Sequence, residues 1–164
     1  MDYAGFWLRL VAYCIDGLIL GFVGICTLIP FGGMLAILQL NEGDLVRNPM
    51  VLLATGFWGL VLLAMAFFGQ WLYFALFESS AWQATPGKRV VGLIVSDEAG
   101  GRLSFGRASG RFLGKILSGL ILNIGFIMAG FTDKKQALHD ILAGCLVLRR
   151  HPAASPSRAS SAIR

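Results

Sequence analysis

Charge is scarce in this sequence: of 164 residues only 14% are Asp, Glu, Lys or Arg, and the stretches 17–41, 50–77 and 116–132 carry none. A small soluble core is excluded, because 56% of the residues are hydrophobic and the mean hydropathy is +0.71, more apolar side chain than one such core buries. Cysteine is sparse too. Cys14, Cys26 and Cys145 show no CxxC or CxxH spacing, which argues against a disulfide framework or a zinc site. HExxH, GxSxG and a cysteine with a plausible base are all missing, so neither an enzyme nor a bound cofactor or metal is expected. Thr85, Pro86, Gly87 and Lys88 look like part of a phosphate loop, but Trp82 stands where the upstream glycine belongs and Arg89 follows the lysine, so nucleotide binding is rejected. Residues 1–8 contain no Lys or Arg, which argues against a signal peptide and for a retained first anchor.

What is present is lipid-soluble chain. About 20 apolar residues span a bilayer core of about 30 Å, so the first two charge-free runs suffice and the third is marginal. The composition predicts a mainly α-helical integral membrane protein with two full transmembrane helices, a third apolar segment that is broken or re-entrant, and a small cytoplasmic β-hairpin or sheet. Residues 1–40 form the first membrane segment, interrupted at Pro30 to Gly33 and continued by an interfacial stretch. The polar, net acidic residues 41–49 are the best outside loop. Residues 50–77 return the chain, and 78–107 form a loop whose Lys88, Arg89, Arg102 and Arg107 place it in the cytoplasm. Within it, Lys88 to Val95 and Arg102 to Phe105 flank a glycine turn and read as a β-hairpin, with Cys145 to Leu148 as a further strand if it lies on the same side.

Segment 108–131 is either one crossing or a hairpin folded at Asn123, Ile124 and Gly125. The hairpin is favoured because one crossing would strand Arg149, Arg150, Arg158 and Arg164 outside. Residues 132–150 hold a Leu-His-Asp segment and a short strand, and the Pro, Ser and Ala-rich tail 151–164 reads as disordered. The whole of 1–150 is one domain, in the bacterial inner membrane, multi-pass, with the N-terminus cytoplasmic. The net charge of +5 belongs to loops facing anionic lipid rather than to nucleic acid. Gly17 with Gly21, and Gly110 with Gly114 and Ser118, are small-residue spacings that let helices approach closely.

Few groups could carry chemistry. Arg9 and Asp16 are the only charges between Tyr3 and Asn41, and seven residues place them on one helix face about 10 Å apart along the axis. They are either interfacial topology markers or partners at membrane depth, where ionised groups are costly and usually paired. Thr132 to Asp140 reads as a solvated connector, or else Asp140, with Asp133 and a relaying His139, returns to the membrane surface as a proton or cation ligand. Lys88 is a further candidate for such a network.

Tyr3, Ala4, Gly5, Phe6 and Trp7, then Arg9, Ala12 and Asp16, then Thr85 to Lys88 with Gly92 and Val95, Gly101 to Phe105, and Gln136 to Asp140 with Ala143 and Gly144 form a spaced set that resembles the RDD family of bacterial inner-membrane proteins. The resemblance covers nearly the whole chain before the tail, with Cys145 where the family commonly has threonine. It implies that Arg9, Asp16 and Asp140 are the arginine and two aspartates of the family's name and act together. It leaves two functions open. One is a small, homo-oligomeric transporter exchanging monovalent cations and protons at Asp16 and Asp140, an antiport ascribed to a few members. The other is a non-transporting scaffold or accessory subunit in which the three charges form a structural network.

Overall fold

The computed structural model describes residues 2–37, 48–121 and 124–150, with backbone alone over 34–37. Helix α1 runs from Phe6 to Ile37 and α2 from Pro49 to Ser79, and both contain spans long and apolar enough to cross a membrane. α1 continues through Pro30 rather than stopping there. The missing proline donor costs one backbone bond, which a membrane helix tolerates where its neighbours stay helical. α2 starts where Asn48 accepts from the Met50 amide (3.1 Å) with Pro49 in the first turn, a cap followed by a residue whose φ is already helical. The expected outside loop, the turn at Asn123 and the tail fall wholly or partly outside the described residues.

Beyond α2 the chain makes a short helix α3 (Pro86–Val90), strand β1 (Leu93–Asp97), helix α4 (Phe105–Leu120), a one-turn helix α5 (Ile124–Ile127) running into a 3-10 turn, helix α6 (Leu138–Leu142) and strand β2 (Cys145–Arg149). The sheet is antiparallel, with Val95 opposite Val147 and Leu93 opposite Arg149. Residues 2–4 extend its other edge, since the Ala4 amide donates to Val147 O (2.9 Å) and the Arg149 amide to Asp2 O (2.9 Å).

The partner of β1 is therefore 145–149, and the hairpin expected with 102–105 does not form. Asp97 and Gly101 do close a turn, through the Asp97 amide to Gly101 O (3.0 Å), but the chain then enters α4, because Ser104 accepts from the Arg107 amide (3.3 Å) as its cap. Leu103 is drawn into the core with Leu93, Val95, Cys145 and Val147.

The pairing bears on the third segment: β1 precedes it and β2 follows it, and strands that hydrogen-bond to each other lie on one side of a bilayer, which fits a bent segment better than one straight crossing. α4 and the 124–130 stretch accordingly diverge by 115°. α4 is built inside out: Ala108, Arg111, Gly114 and Ser118 are buried, whereas Leu113, Ile116, Leu117 and Leu120 are exposed. Such a helix is unstable in water and suited to lipid.

Candidate functional site

The buried polar groups gather at the sheet end of the helices. Asp16 lies at the third turn of α1, 1% exposed. Its Oδ2 accepts from Thr85 Oγ1 (2.5 Å), and its Oδ1 from the Gly87 amide (2.8 Å) and the Tyr73 hydroxyl (2.8 Å). The Thr-Pro-Gly-Lys segment thus docks the start of α3 onto α1. Thr85 caps α3 and Pro86 opens it. Gly87 comes so close to α1 that a Cβ there would meet Asp16 Oδ1 at 2.8 Å. Among the described residues no guanidinium is paired with Asp16; three neutral donors hold it.

Asp140 occupies the first turn of α6 with no exposure. Its Oδ2 accepts from Arg9 Nη1 and from the Ala137 amide (3.2 Å); its Oδ1 accepts from Arg111 Nε (2.8 Å), with Arg111 Nη2 at 2.7 Å. Arg9 also donates to the carbonyls of Ala4 (3.0 Å) and Lys135 (2.6 Å), tying the start of α1 to the segment before α6. Arg111 then reaches across: its Nη1 lies 2.7 Å from Glu78 Oε2, an ion contact off the hydrogen-bond direction. Glu78, in the last turn of α2, is surrounded further by Lys88 Nζ (2.6 Å) and Lys115 Nζ (3.4 Å). Lys115 also sits 3.6 Å over the Phe74 ring, a cation–π contact.

Electrostatics keep this cluster ionised around its carboxylates. Burial alone would raise the Asp140 carboxyl, but Arg111 and then Arg9 outweigh it and hold it well below the usual carboxylate range. Burial pushes His139 down to about 3 despite the Asp140 carboxylate 3.4 Å away, and Arg111 adds to the depression. Burial and Arg111 lower Lys88 against the pull of Glu78. Burial raises the Cys145 thiol to about 11, with its Sγ 3.8 Å from Asp140 Oδ1.

A cavity of about 430 Å³ opens beside the cluster. Arg9, Asp16, Lys88, Arg111, Lys115 and His139 reach it, and Phe6, Leu10, Tyr13, Phe126 and Ile127 form much of its apolar wall. Among the described residues no group of three or more His, Cys, Asp or Glu is placed to hold a metal ion.

Of the expected site residues, the structure joins Arg9 to Asp140 and sets Asp16 in a separate hydrogen-bond set across the same cavity. Lys88 joins through Glu78. His139 is neutral at pH 7, packed on Phe126 (5.0 Å) and Ser118, which removes it as a relay titrating near neutrality. Asp133 is exposed and lies outside the cluster. Arg111, Glu78 and Lys115 went unrecognised in the sequence. Their signal was there: Glu78 is the only carboxylate between Asp44 and Asp97, and Arg111 and Lys115, four apart on one helix face, are the only charges between Arg107 and Asp133.

Apolar exposed helices joined at one end by a buried ion network define a multi-pass membrane protein rather than a soluble domain. The RDD family model matches residues 3–144, and the chain belongs to the RDD family. It is similar to "Uncharacterized protein YxaI" of Bacillus subtilis (strain 168), 35% identical over 147 residues that cover 85% of this chain and 92% of that protein. No solved structure matches it.

Proposed function

We propose that this chain is a non-transporting membrane scaffold or accessory subunit, and that its ion network is a clamp. The observation that carries this reading is the Arg111 guanidinium, which bridges Asp140 of α6 and Glu78 of α2 at 2.7 Å each, while Arg9 of α1 shares Asp140. Two carboxylates and two guanidiniums thereby join α1, α2, α4 and α6. The basic residues at the sheet end support a cytoplasmic position for that end, with the helices in the bacterial inner membrane. The exposed apolar faces of α1 and α2, where Gly17 and Gly21 meet no neighbouring side chain, are the surface for self-association.

Exchange of a monovalent cation for a proton at Asp16 and Asp140 fits this geometry less well. Asp140 is already neutralised by two guanidiniums, and a cation would have to displace one of them from a buried carboxylate at large cost. Asp16 already accepts three hydrogen bonds, from Thr85, Gly87 and Tyr73, which leaves about one lone-pair position open. The test is Asp140→Asn in the full chain, measured twice: melting in detergent, and cation-dependent proton flux in liposomes. The clamp reading expects a large loss of melting temperature and no flux from the wild-type protein. Wild-type flux that Asp140→Asn abolishes without a change in melting would overturn it.

A further inference from the structure

Basic side chains outnumber carboxylates around the cavity. Lys88, Arg111 and Lys115 converge on the single carboxylate of Glu78, and Arg9 shares Asp140 with Arg111. Counting Asp16 as well, four basic side chains face three carboxylates, so the cluster holds more donors than carboxylates to receive them. A second observation concerns the walls. On the α1 and α5 side they are Leu10, Tyr13 and Ile127, which are 38%, 59% and 46% exposed, so this apolar wall is made of side chains that are partly open to the surroundings. The cationic floor lies level with the last turn of α2, at headgroup depth for a helix that ends there.

A cavity of about 430 Å³ with apolar walls and Lys88, Arg111 and Lys115 at its floor has the makeup of a small-molecule site. We propose that it binds a singly charged anionic amphiphile from the membrane, with its phosphodiester or carboxylate head at Lys115 and Lys88 and an acyl chain leaving between α1 and α5 past Leu10, Tyr13 and Ile127. A cation is disfavoured by the basic side chains at the floor, and a bare anion leaves the apolar wall unfilled. The head contacts, Lys88 and Lys115, also pair with Glu78 in the ion network, whereas Asp140, the residue that tests the clamp, is not among them.

The full chain in a neutral detergent, mixed with phosphatidylglycerol, oleate, phosphatidylcholine or inorganic phosphate and read by native mass spectrometry, tests this. Retention of phosphatidylglycerol or oleate should exceed that of phosphatidylcholine by roughly tenfold, the scale of one charge-assisted hydrogen bond, and inorganic phosphate should neither bind nor compete. Lys115→Met should bring the anionic lipid down to the phosphatidylcholine level, and Lys115→Arg should keep it. Ala129→Leu, which fills the cavity from a residue only 1% exposed and changes no charge, should reduce retention of both anionic amphiphiles, and circular dichroism checks that each variant is folded. Equal retention of phosphatidylglycerol and phosphatidylcholine, full competition by phosphate, or unchanged binding in both Lys115→Met and Ala129→Leu would overturn the proposal.

Discussion

Replacing Arg111 by methionine removes the side chain that, among the described residues, touches both Glu78 and Asp140. Methionine matches the aliphatic stem of arginine, so the packing of the stem changes little and the loss is electrostatic. Breaking a buried ion pair by removing one partner costs about 3–5 kcal/mol, because the other charge stays behind without compensation. Here each carboxylate keeps other partners: Asp140 retains Arg9 and the Ala137 amide, and Glu78 retains Lys88 and Lys115. The cost should therefore lie near the lower end, about 3 kcal/mol. For a protein of this length that corresponds to a fall of roughly 6–12 °C in melting temperature, read by thermal unfolding in detergent. Arg111→Lys keeps the charge but cannot span two carboxylates with one ammonium, so it should recover no more than about half. The cycle with Asp140→Asn should show coupling of about 1–3 kcal/mol, as residues in one buried network do. Arg111→Met melting within about 1 °C of wild type would refute the clamp, because two buried ionic contacts of 2.7 Å would then contribute nothing.

Two further perturbations follow from the same geometry. Gly87→Ala pushes a methyl group to 2.8 Å from Asp16 Oδ1, so α3 must lift off α1; a loss of about 1–3 kcal/mol is expected from such overpacking, and a melting temperature equal to wild type would show that the docking of Thr85 to Lys88 on Asp16 is loose. The pH profile should show two windows. His139 is held at about 3 in the folded protein against an ordinary 6.5, so below about 6.5 the unfolded chain takes up a proton that the fold refuses. Stability then falls toward acid by up to about 1.4 kcal/mol per pH unit, and His139→Gln should flatten the profile between those values. The depressed Asp140 carboxyl acts lower: its stabilisation is complete above its unfolded pKa of about 3.9 and is lost only as pH falls from there toward its folded value. An unchanged slope in His139→Gln from pH 6 to 5 would assign the first window to another group.

The membrane class was legible because it depends only on composition and run length: two charge-free stretches of adequate length read as spans, and they are spans by length and apolarity. The meeting of Arg9 and Asp140 was legible through the cost of ionised groups near lipid, a local argument that needs no tertiary detail. Asp16 escaped that argument because its partners are a tyrosine, a threonine and a backbone amide, none of which registers when only charges are matched. The false hairpin arose because Leu103 and Phe105 have strand-like character, whereas Ser104 three residues before Arg107 is a helix cap, and cap chemistry prevailed. Glu78 and Arg111 were hidden for another reason. Each lies at an edge of an apolar run and reads as its solvated boundary, and only the fold shows that those boundaries face one another.

That convergence explains how so apolar a chain forms a defined structure. The buried residues of α1 are Ala12 and Asp16, and those of α2 are Phe74, Ala75 and Glu78, all within the turns nearest the sheet. Farther out, Leu18 and Leu60 are 75% and 71% exposed. In lipid, exposed leucine has no tendency to seek protein, since acyl chains solvate it equally well. Helix position must then be set by contacts that lipid cannot offer, which are the ion pairs, the capped start of α3 and the strand pairing at one end. The outer halves of α1 and α2 are consequently free to adapt to bilayer thickness by tilting without disturbing the network. Substitutions among their leucines should be tolerated where a single change at Gly87 or Arg111 is not.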